Sequence, residues 1–382
     1  MTPQLLNVVH VSPHVQGKGG IEALHAFHRQ LPQQAFVALF DRQPQPQANY
    51  VNLNIGWHTP LWRMRQVFKR AMSAHAGSHV VYHNAWGLPL FHDLDLAARR
   101  VAYLHSAPVY FLRELPALAG LIDGLTGVTP ALQKAWEPAL PGSTAGRTAI
   151  LRLPVFPPSG CAAGRPGDGR IVLGYAGRVE RIHKRLDRLP ALLRELRAKP
   201  GLDFRFEVLG DGLLRPALEH KLAGQVHFHG WQSGLDYWRV LAGWDGIVFF
   251  SDLEGVPIAL IEAMALGVVP FFPAIGAALG DVYVPQVDPQ CYYQAGNMAA
   301  LARAISAVFS LPSPQLKAVR ARAQAVTAGN RGPGYAADFE SFMRSIAEQP
   351  RLAPFRRRRP RLTDLLPLGF VTRFVPWALR LS

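Results

Sequence analysis

Cysteine is almost absent from this sequence. The 382 residues include only Cys161 and Cys291, which lie far apart in the chain. Two such cysteines exclude the disulfide framework of a small secreted domain and a zinc site built from cysteines. The scarcity fits a reducing compartment, so we expect a cytoplasmic protein.

Long apolar runs are missing as well. No uninterrupted apolar stretch approaches the ~20 residues that a membrane-spanning helix needs. Residues 1–13 lack a basic region followed by a long apolar run, so we expect no signal peptide. The expected location is the cytoplasm, either free in solution or peripheral on the inner face of the cytoplasmic membrane.

Acidic residues are few relative to basic ones. The chain has 26 Asp and Glu against 41 Lys and Arg, a formal net charge of +15. Residues 351–382 hold eight arginines and one aspartate, or +7, which leaves +8 for the other 350 residues. This balance suits plain solubility, or a partner such as anionic lipid, nucleic acid or a phosphorylated substrate.

Apolar strand-like runs and helical patterns alternate along both halves of the chain, on either side of a Pro-, Gly- and Ser-rich stretch at 141–169. Continuous apolar strands separated by helices are typical of parallel α/β domains. We therefore predict two Rossmann-like α/β domains, at 1–165 and 166–348, and a basic, apolar tail at 349–382. The predicted strands lie within 5–13, 35–40, 79–83, 100–105, 124–129, 170–178, 203–212, 225–231, 246–252 and 268–272.

Two glutamates stand in the otherwise apolar stretch 251–270. Glu254 and Glu262 are eight positions apart, and Pro257 between them suits the first position of a helix. Helix N-termini attract phosphate, and a carboxylate among apolar neighbours needs hydrogen-bond donors. A nucleotide sugar meets both needs, because it has hydroxyls at each end and a diphosphate between them. The structural alternative is a core helix in which Arg or Lys pairs with Glu262.

Two cations follow the strand predicted at the start of the second half. Arg178 and Lys184 are six positions apart in a charge-dense loop. At a strand end, Arg can clamp a diphosphate bidentately and Lys can act as a point charge. A simple solvated loop is the alternative interpretation.

The first half offers weaker signals. Gly17, Gly19 and Gly20 follow the first predicted strand and allow a backbone to approach a ligand closely, although a plain tight turn fits equally well. His83 and His105 each end a predicted strand, where ligands of parallel sheets bind. Either histidine could instead be a satisfied core residue.

Taken together, these stretches resemble the retaining GT-B glycosyltransferases of glycosyltransferase family 4, also called glycosyl transferases group 1. The resemblance covers roughly 1–348 and is strongest over 170–270. It rests above all on the Glu-x7-Glu and Arg-x5-Lys patterns in "SDLEGVPIALIEAMALGVVP" and "YAGRVERIHKR". The motifs "GKGGIE", "EVLGDG" and "VHFHGWQ" add to it.

The resemblance implies a GT-B fold, in which the two Rossmann-like domains face each other across a cleft, and a division of labour between them. The first domain would take the acceptor and the second the donor. Arg178 and Lys184 would hold the donor diphosphate, and Glu254 would contact the hydroxyls of its sugar. The other implied contacts are those of Glu262 with the ribose, Gly255 and Val256 beside the donor, Gly19 and Gly20 near its phosphates or sugar, and His105 beside the reacting sugar.

The sequence departs from the family pattern in two places. A Gly-Gly-x-x-Glu type of loop usually follows the glutamate signature, whereas residues 271–283 here read "FFPAIGAALGDVY". Val256 stands where close relatives often carry a bulkier residue. The donor contacts of residues 273–280 therefore cannot be carried over from the family.

The implied co-substrate is a nucleoside diphosphate sugar, such as a UDP- or GDP-sugar, with no cofactor and no metal. The implied acceptor is a sugar or a lipid-linked glycan, in bacterial cell-surface polysaccharide or glycolipid synthesis. The arginines and aromatic residues of 351–382 predict an anchor on an anionic membrane surface, with a disordered or packed tail as the alternative. Nucleic acid is not expected, since no nucleic-acid fold motif accompanies the charge.

Two other functions stay open at this point. One is a sugar-nucleotide epimerase or a phosphorylase-like enzyme. The other is a non-catalytic GT-B-like module that binds a glycan or a partner, which the unusual loop at 273–280 would suit. The paired acids and cations favour transfer of a sugar over both.

Overall fold

The computed structural model of the protein describes residues 6–15, 19–28, 31, 33–41, 49–94, 96–105, 118–136, 146–159, 161, 169–276, 278–351 and 362–367. The chain divides into two compact units. Unit 1 comprises Met1–Pro154 and Pro333–Ser382, and unit 2 comprises Val155–Gly332.

Unit 1 is built on a seven-stranded parallel sheet with the order β3-β2-β1-β4-β5-β6-β7. Its central strands are buried along their whole length, which explains why they read as continuous apolar runs in the sequence. The strands are β1 Val8–Ser12, β2 Gln34–Ala38, β3 Tyr50–Asn52, β4 His79–His83, β5 Arg100–Leu104, β6 Gly124–Gly127 and β7 Thr148–Ile150. Its first helices are Gly19–His28, Leu61–Met72, Leu88–Phe91 and Pro130–Trp136.

Unit 2 repeats this architecture with a six-stranded parallel sheet in the order β10-β9-β8-β11-β12-β13. One hydrophobic core runs through the unit, and Trp244 packs directly against Gly174 of the central strand. The strands are β8 Ile171–Ala176, β9 Phe204–Leu209, β10 Val226–Gly230, β11 Gly246–Val248, β12 Val269–Ala274 and β13 Tyr292–Gln294. The helices are Leu189–Arg197, Arg215–Lys221, Gly234–Ala242, Ile258–Ala265, Leu279–Val287, Met298–Phe309 and Ser313–Val326.

The last long helix, Gly332–Glu348, packs in unit 1 although it follows unit 2 in the chain. The Ile346 side chain lies against Gly124 of β6, and the Arg99 guanidinium donates to the carbonyls of Ile346 and Ala347 at 3.2 and 3.0 Å. The bounds of the two units thus differ from the predicted domains at 1–165 and 166–348, because this helix buries its apolar face on the first sheet.

The sequence-predicted α/β class is confirmed, and each of the ten predicted strand stretches overlaps an observed strand. Three strands were not predicted: β3, β7 and β13. Each has only three residues and lies at a sheet edge, so it is too short to show a pattern.

Part of the tail is described. A 3-10 turn at Leu362–Leu365 packs on the helix Leu61–Met72, and the Leu61 N–H donates to the Leu366 carbonyl at 3.1 Å. Within the described ranges, every helix is too short or too polar to traverse a bilayer. The arginine cluster at 356–359 lies outside the described residues.

Candidate functional site

In each sheet, the strand order reverses between two neighbouring strands. In unit 2 these are β8 and β11, since the chain moves outward to β9 and β10 and then returns to the other side of β8. Ligands of open parallel sheets bind at the carboxyl ends of such a strand pair. Arg178 and Lys184 follow β8, whereas Ser251, Glu254 and Gly255 follow β11. The topology therefore brings the two predicted groups to one edge of the sheet.

Lys184 and Glu254 form a direct ion pair at this edge. The Lys184 ammonium donates to both carboxylate oxygens of Glu254, at 2.6 and 2.7 Å. The Ser251 hydroxyl donates to Glu254 Oε1 at 2.7 Å, and the Glu254 side chain is only 5% exposed. Charge-assisted hydrogen bonds of this kind hold both groups in fixed positions.

The loop that carries Lys184 is also braced by Asp252. The Asp252 carboxylate pairs with the guanidinium groups of Arg185 and Arg188, and its backbone N–H donates to the His183 carbonyl at 2.9 Å. Burial would raise the pKa of the Asp252 carboxyl, but the two guanidinium groups hold it below its usual value. The ends of β8 and β11 are thus linked on both sides of Lys184.

Arg178 occupies a more open position than Lys184. Its side chain is 58% exposed and pairs with Glu180 at 2.8 Å. Its backbone is fixed, because the Tyr175 hydroxyl donates to the Arg178 carbonyl at 2.7 Å. Because exposed ion pairs are weak, the guanidinium is held at its base but can leave Glu180 for a stronger partner at its tip.

The "LGDG" segment at the end of β9 packs against the backbone of the Arg178 loop. A Cβ on Gly210 would lie 2.0 Å from the Gly177 oxygen, and Gly210 has a φ of +141°. The Val179 N–H donates to the Asp211 carbonyl at 2.9 Å. Only glycine allows these two backbones to approach so closely, which explains this motif by packing.

Glu262 lies on the helix Ile258–Ala265 and accepts a hydrogen bond from a tyrosine. The Tyr237 hydroxyl donates to Glu262 Oε2 at 2.5 Å. The structural alternative for this position expected Arg or Lys. Burial first, and then the Glu262 charge, raise the pKa of the Tyr237 phenol well above its usual value, so the phenol remains a donor. Tyr237 lies 25 residues upstream, and no spacing pattern signals it.

The helix that carries Glu262 begins one residue later than predicted. Pro257 has an extended backbone, with φ −71° and ψ 99°, and precedes the first helical residue, Ile258. Proline thus caps this helix instead of opening its first turn.

The unusual loop at 273–280 is held against the glutamate signature. The Leu279 N–H donates to the Gly255 carbonyl at 2.9 Å. The Asp281 carboxylate accepts from the backbone N–H groups of Ile275 and Ala278, at 2.9 and 2.7 Å. Val256, also predicted at the donor site, is half-buried and packs on the core of unit 2. The described part of this loop is therefore held by Asp281, the third residue of the helix Leu279–Val287 that follows it.

In unit 1 the predicted residues lie after β1 and β5. Gly19 and Gly20 begin the helix Gly19–His28, while Gly17 lies outside the described residues. The His105 Nε2 lies 2.7 Å from the Nδ1 of His83, the last residue of β4. The sequence predicted each histidine separately but gave no sign of this contact.

No group of three or more His, Cys, Asp and Glu side chains within the described ranges is arranged to hold a metal ion. Besides Tyr237, sequence reasoning missed Ser251 and the brace at Asp252. Ser251 and Asp252 lie close to Glu254 in the chain, so the sequence indicates that they are near the site. It does not indicate which side chains they bind.

Comparison with known proteins agrees with the geometry of unit 2. Residues 170–310 match the family model described as Glycosyl transferases group 1. This segment is similar to glycosyl transferases group 1 domains. It contains all of the predicted residues of unit 2, from Arg178 to Glu262.

Solved structures extend the likeness to most of the chain. The Anabaena HepE structure with UDP and glucose aligns with a TM-score of 0.69 at 14% identity, over 89% of this chain and 100% of that one. The lipopolysaccharide outer core galactosyltransferase WaaB aligns with a TM-score of 0.65 at 15% identity, over 88% and 99%. The fold is therefore the GT-B fold, as predicted.

A curated relative covers less of the chain. The 2-deoxystreptamine glucosyltransferase of Streptomyces kanamyceticus is 29% identical over 165 residues, which are 41% of this chain and 41% of that protein. The chain thus matches less than half the length of this relative.

Proposed function

We propose that the protein is a retaining glycosyltransferase of family 4, which moves a sugar from a nucleoside diphosphate sugar to an acceptor. The observation that carries this proposal is the Lys184–Glu254 pair at the point where the strand order of unit 2 reverses. A cation suited to phosphate and an acid suited to sugar hydroxyls stand together where such sheets bind ligands.

The donor would bind to unit 2 and the acceptor to unit 1. Lys184 and the reorientable Arg178 would neutralise the diphosphate, and Glu254 would accept hydrogen bonds from sugar hydroxyls. Glu262 would accept from the ribose, beside Gly255 and Val256. HepE crystallises with UDP-glucose, which supports a UDP-sugar as the first donor to test, with a GDP-sugar as the alternative.

In the proposed reaction, the bond between the anomeric carbon and the leaving phosphate oxygen breaks while the acceptor oxygen attacks from the same face. The acceptor proton passes to the leaving phosphate oxygen, so the charges balance without a separate base. Arg178 and Lys184 would stabilise the charge that develops on the diphosphate. On this scheme transfer needs neither a cofactor nor a metal, and an undiminished rate in EDTA is the expected result.

In unit 1, His105 would stand beside the reacting sugar, and Gly19 and Gly20 would approach the donor. The acceptor would be a sugar or lipid-linked glycan of bacterial cell-surface polysaccharide or glycolipid synthesis. The protein would work in the cytoplasm, peripheral on the inner membrane face through residues 351–382. The basic charge of those residues and the sugar chemistry of the site support this setting, and nucleic acid has no part in it.

Nucleotide binding and turnover test the proposal together. A thermal-shift screen with UDP, GDP and ADP should show stabilisation by one of them, and the matching nucleotide sugar should be consumed. Lys184→Ala and Glu254→Ala should each lower turnover by about 100-fold or more, the scale of losing one electrostatic contact to a transition state. Arg181→Ala is the matched control, because Arg181 lies in the same loop with a side chain 78% exposed.

The outcomes separate the competing functions. If no nucleotide stabilises the protein, the non-catalytic module is favoured. Nucleotide binding with near-normal turnover in Lys184→Ala or Glu254→Ala would contradict the assigned chemistry.

A further inference from the structure

Four polar side chains of unit 1, each buried or partly buried, follow one diagonal of the sheet. Gln34 opens β2, His10 is the central residue of β1, His83 ends β4, and His105 follows β5. These strands are consecutive neighbours in the sheet, and each side chain stands two positions beyond the register partner of the one before it. Because side chains two positions apart share a face, the four lie on the same side of the sheet.

The four side chains form an unbroken series of hydrogen bonds. His10 Nε2 lies 3.1 Å from Gln34 Oε1, and His10 Nδ1 lies 3.0 Å from His83 Nε2. His83 Nδ1 lies 2.7 Å from His105 Nε2. His10 and His83 are 0% and 1% exposed, so water does not compete for these contacts.

The imidazoles in this series are neutral. Burial lowers the pKa of His10 and of His105 to about 3 and holds the pKa of His83 well below its usual value. A neutral imidazole has one N–H donor and one acceptor nitrogen. A ring that donates a hydrogen bond from one nitrogen must therefore accept one at the other, so the direction of donation is the same along the whole series.

Gln34 supplies that direction. Its Oε1 can only accept, so His10 donates from Nε2 and accepts at Nδ1 from the Nε2–H of His83. His83 then accepts at Nδ1 from the Nε2–H of His105. The remaining nitrogen, His105 Nδ1, is a buried acceptor without a hydrogen-bond partner in the part of the chain that the structure describes.

We propose that Gln34, His10 and His83 form a hydrogen-bond relay that fixes His105 in the tautomer with its proton on Nε2. Gln34, His10 and His83 are positioning residues in this scheme. They leave His105 Nδ1 as an acceptor, which suits a ligand group that donates a hydrogen bond, such as a sugar hydroxyl. The use of that acceptor in sugar transfer rests on the proposed function, whereas the tautomer itself does not.

Nitrogen-15 NMR of the full-length protein, labelled selectively on histidine, tests the relay directly. The resonances of His105 are assigned by their loss in His105→Gln. We expect a protonated Nε2 and a bare Nδ1 for His105 in the unmodified protein. His83→Phe and Gln34→Met should each move both nitrogens toward values averaged over the two tautomers. His79→Phe, at another buried histidine of β4, should leave them unchanged.

Two results would overturn the relay. One is a proton on His105 Nδ1 in the unmodified protein. The other is an unchanged His105 spectrum in both Gln34→Met and His83→Phe. Circular dichroism verifies folding, and the nearly isosteric Gln34→Met keeps the test available if His83→Phe does not fold. A failure of the proposed function would appear instead as absent nucleotide binding, and it would leave this NMR result untouched.

Discussion

The Lys184 ammonium donates to both carboxylate oxygens of Glu254, although the two residues are 70 positions apart in the chain. This contact joins the ends of two neighbouring strands at the point where the strand order reverses. Glu254 takes two of the three N–H donors of the ammonium group, so the third remains for a bound phosphate. The Asp252 brace to Arg185 and Arg188 would hold the loop in place as the phosphate binds.

A double-mutant cycle should show a favourable coupling free energy between Lys184 and Glu254. Lys184→Met leaves the Glu254 carboxylate buried without its cation and should cost about 3 kcal/mol of unfolding free energy. The double variant Lys184→Met/Glu254→Gln should recover much of that loss, because no uncompensated charge remains. Urea unfolding of the single and double variants measures both. Strictly additive losses would show that the pair does not contribute as a unit.

Glu262 and Tyr237 should act together on donor binding. Glu262→Ala should weaken nucleotide binding, and Tyr237→Phe should weaken it less, because the phenyl ring keeps its packing and only the hydrogen bond is lost. A hydrogen bond to a charged group contributes about 1.5–3 kcal/mol, which bounds the stability loss of Tyr237→Phe. Isothermal calorimetry gives the affinities.

The matched control for that experiment is Tyr50→Phe. Tyr50 donates to the Asp41 carboxylate at 2.6 Å in unit 1, so the same chemical change occurs outside unit 2. We expect Tyr50→Phe to leave nucleotide affinity unaltered. Unchanged affinity in Glu262→Ala would instead favour a purely structural Glu262.

Gly210→Ala should destabilise unit 2 through a backbone clash. The added Cβ would meet the Gly177 oxygen at 2.0 Å, and backbone cannot give way as a side chain can. The matched control is Gly224→Ala, where φ is +70° and no atom lies within 4 Å of the added Cβ. We expect the control to cost about 1 kcal/mol and Gly210→Ala about 2 kcal/mol more. Equal urea midpoints for the two variants would contradict the close approach.

The buried histidines should make unit 1 sensitive to acid. The folded-state pKa values of His10, His28, His83 and His105 lie below the ordinary value, chiefly because of burial. These four histidines stay neutral in the folded protein, whereas in the unfolded chain they bind protons below about pH 6.5. The resulting contribution to the free energy of unfolding is fully present above that pH, and it is lost as the pH falls from about 6.5 toward 3.

Each such histidine adds about 1.4 kcal/mol per pH unit to the slope of unfolding free energy in this range. His83→Phe should lower the slope by up to that amount, as measured by urea unfolding between pH 7.5 and 5.0. Added salt serves as the control, because desolvation is insensitive to screening. A flat profile over this interval would refute the argument.

The tail should bind anionic membranes through its arginines. The full chain should sediment with vesicles that contain anionic lipid, and the variant R356Q/R357Q/R358Q/R359Q should not, since each cation near the surface contributes about 1 kcal/mol. This variant keeps residues 362–367, which pack on unit 1. Neutral vesicles provide the control. Equal binding of both proteins to anionic vesicles would exclude an electrostatic anchor at these positions.

The sequence by itself determined that the chain has two parallel α/β units and where most of their strands lie. Buried parallel strands must be apolar on both faces, so β1, β4, β5, β8 and β11 are visible as continuous apolar runs. The residues that follow these runs lie at the carboxyl ends of the strands, which predicts a site at Arg178, Lys184 and Glu254. Short edge strands such as β3, β7 and β13 carry no such signal.

Only the tertiary structure decided which side chains touch. Tyr237 on Glu262, and the series from Gln34 through His10 and His83 to His105, join residues from separate elements. Local pattern records which face of an element is buried. A hydrogen bond between elements depends on strand register and side-chain direction to within a few tenths of an ångström, and no local pattern encodes those.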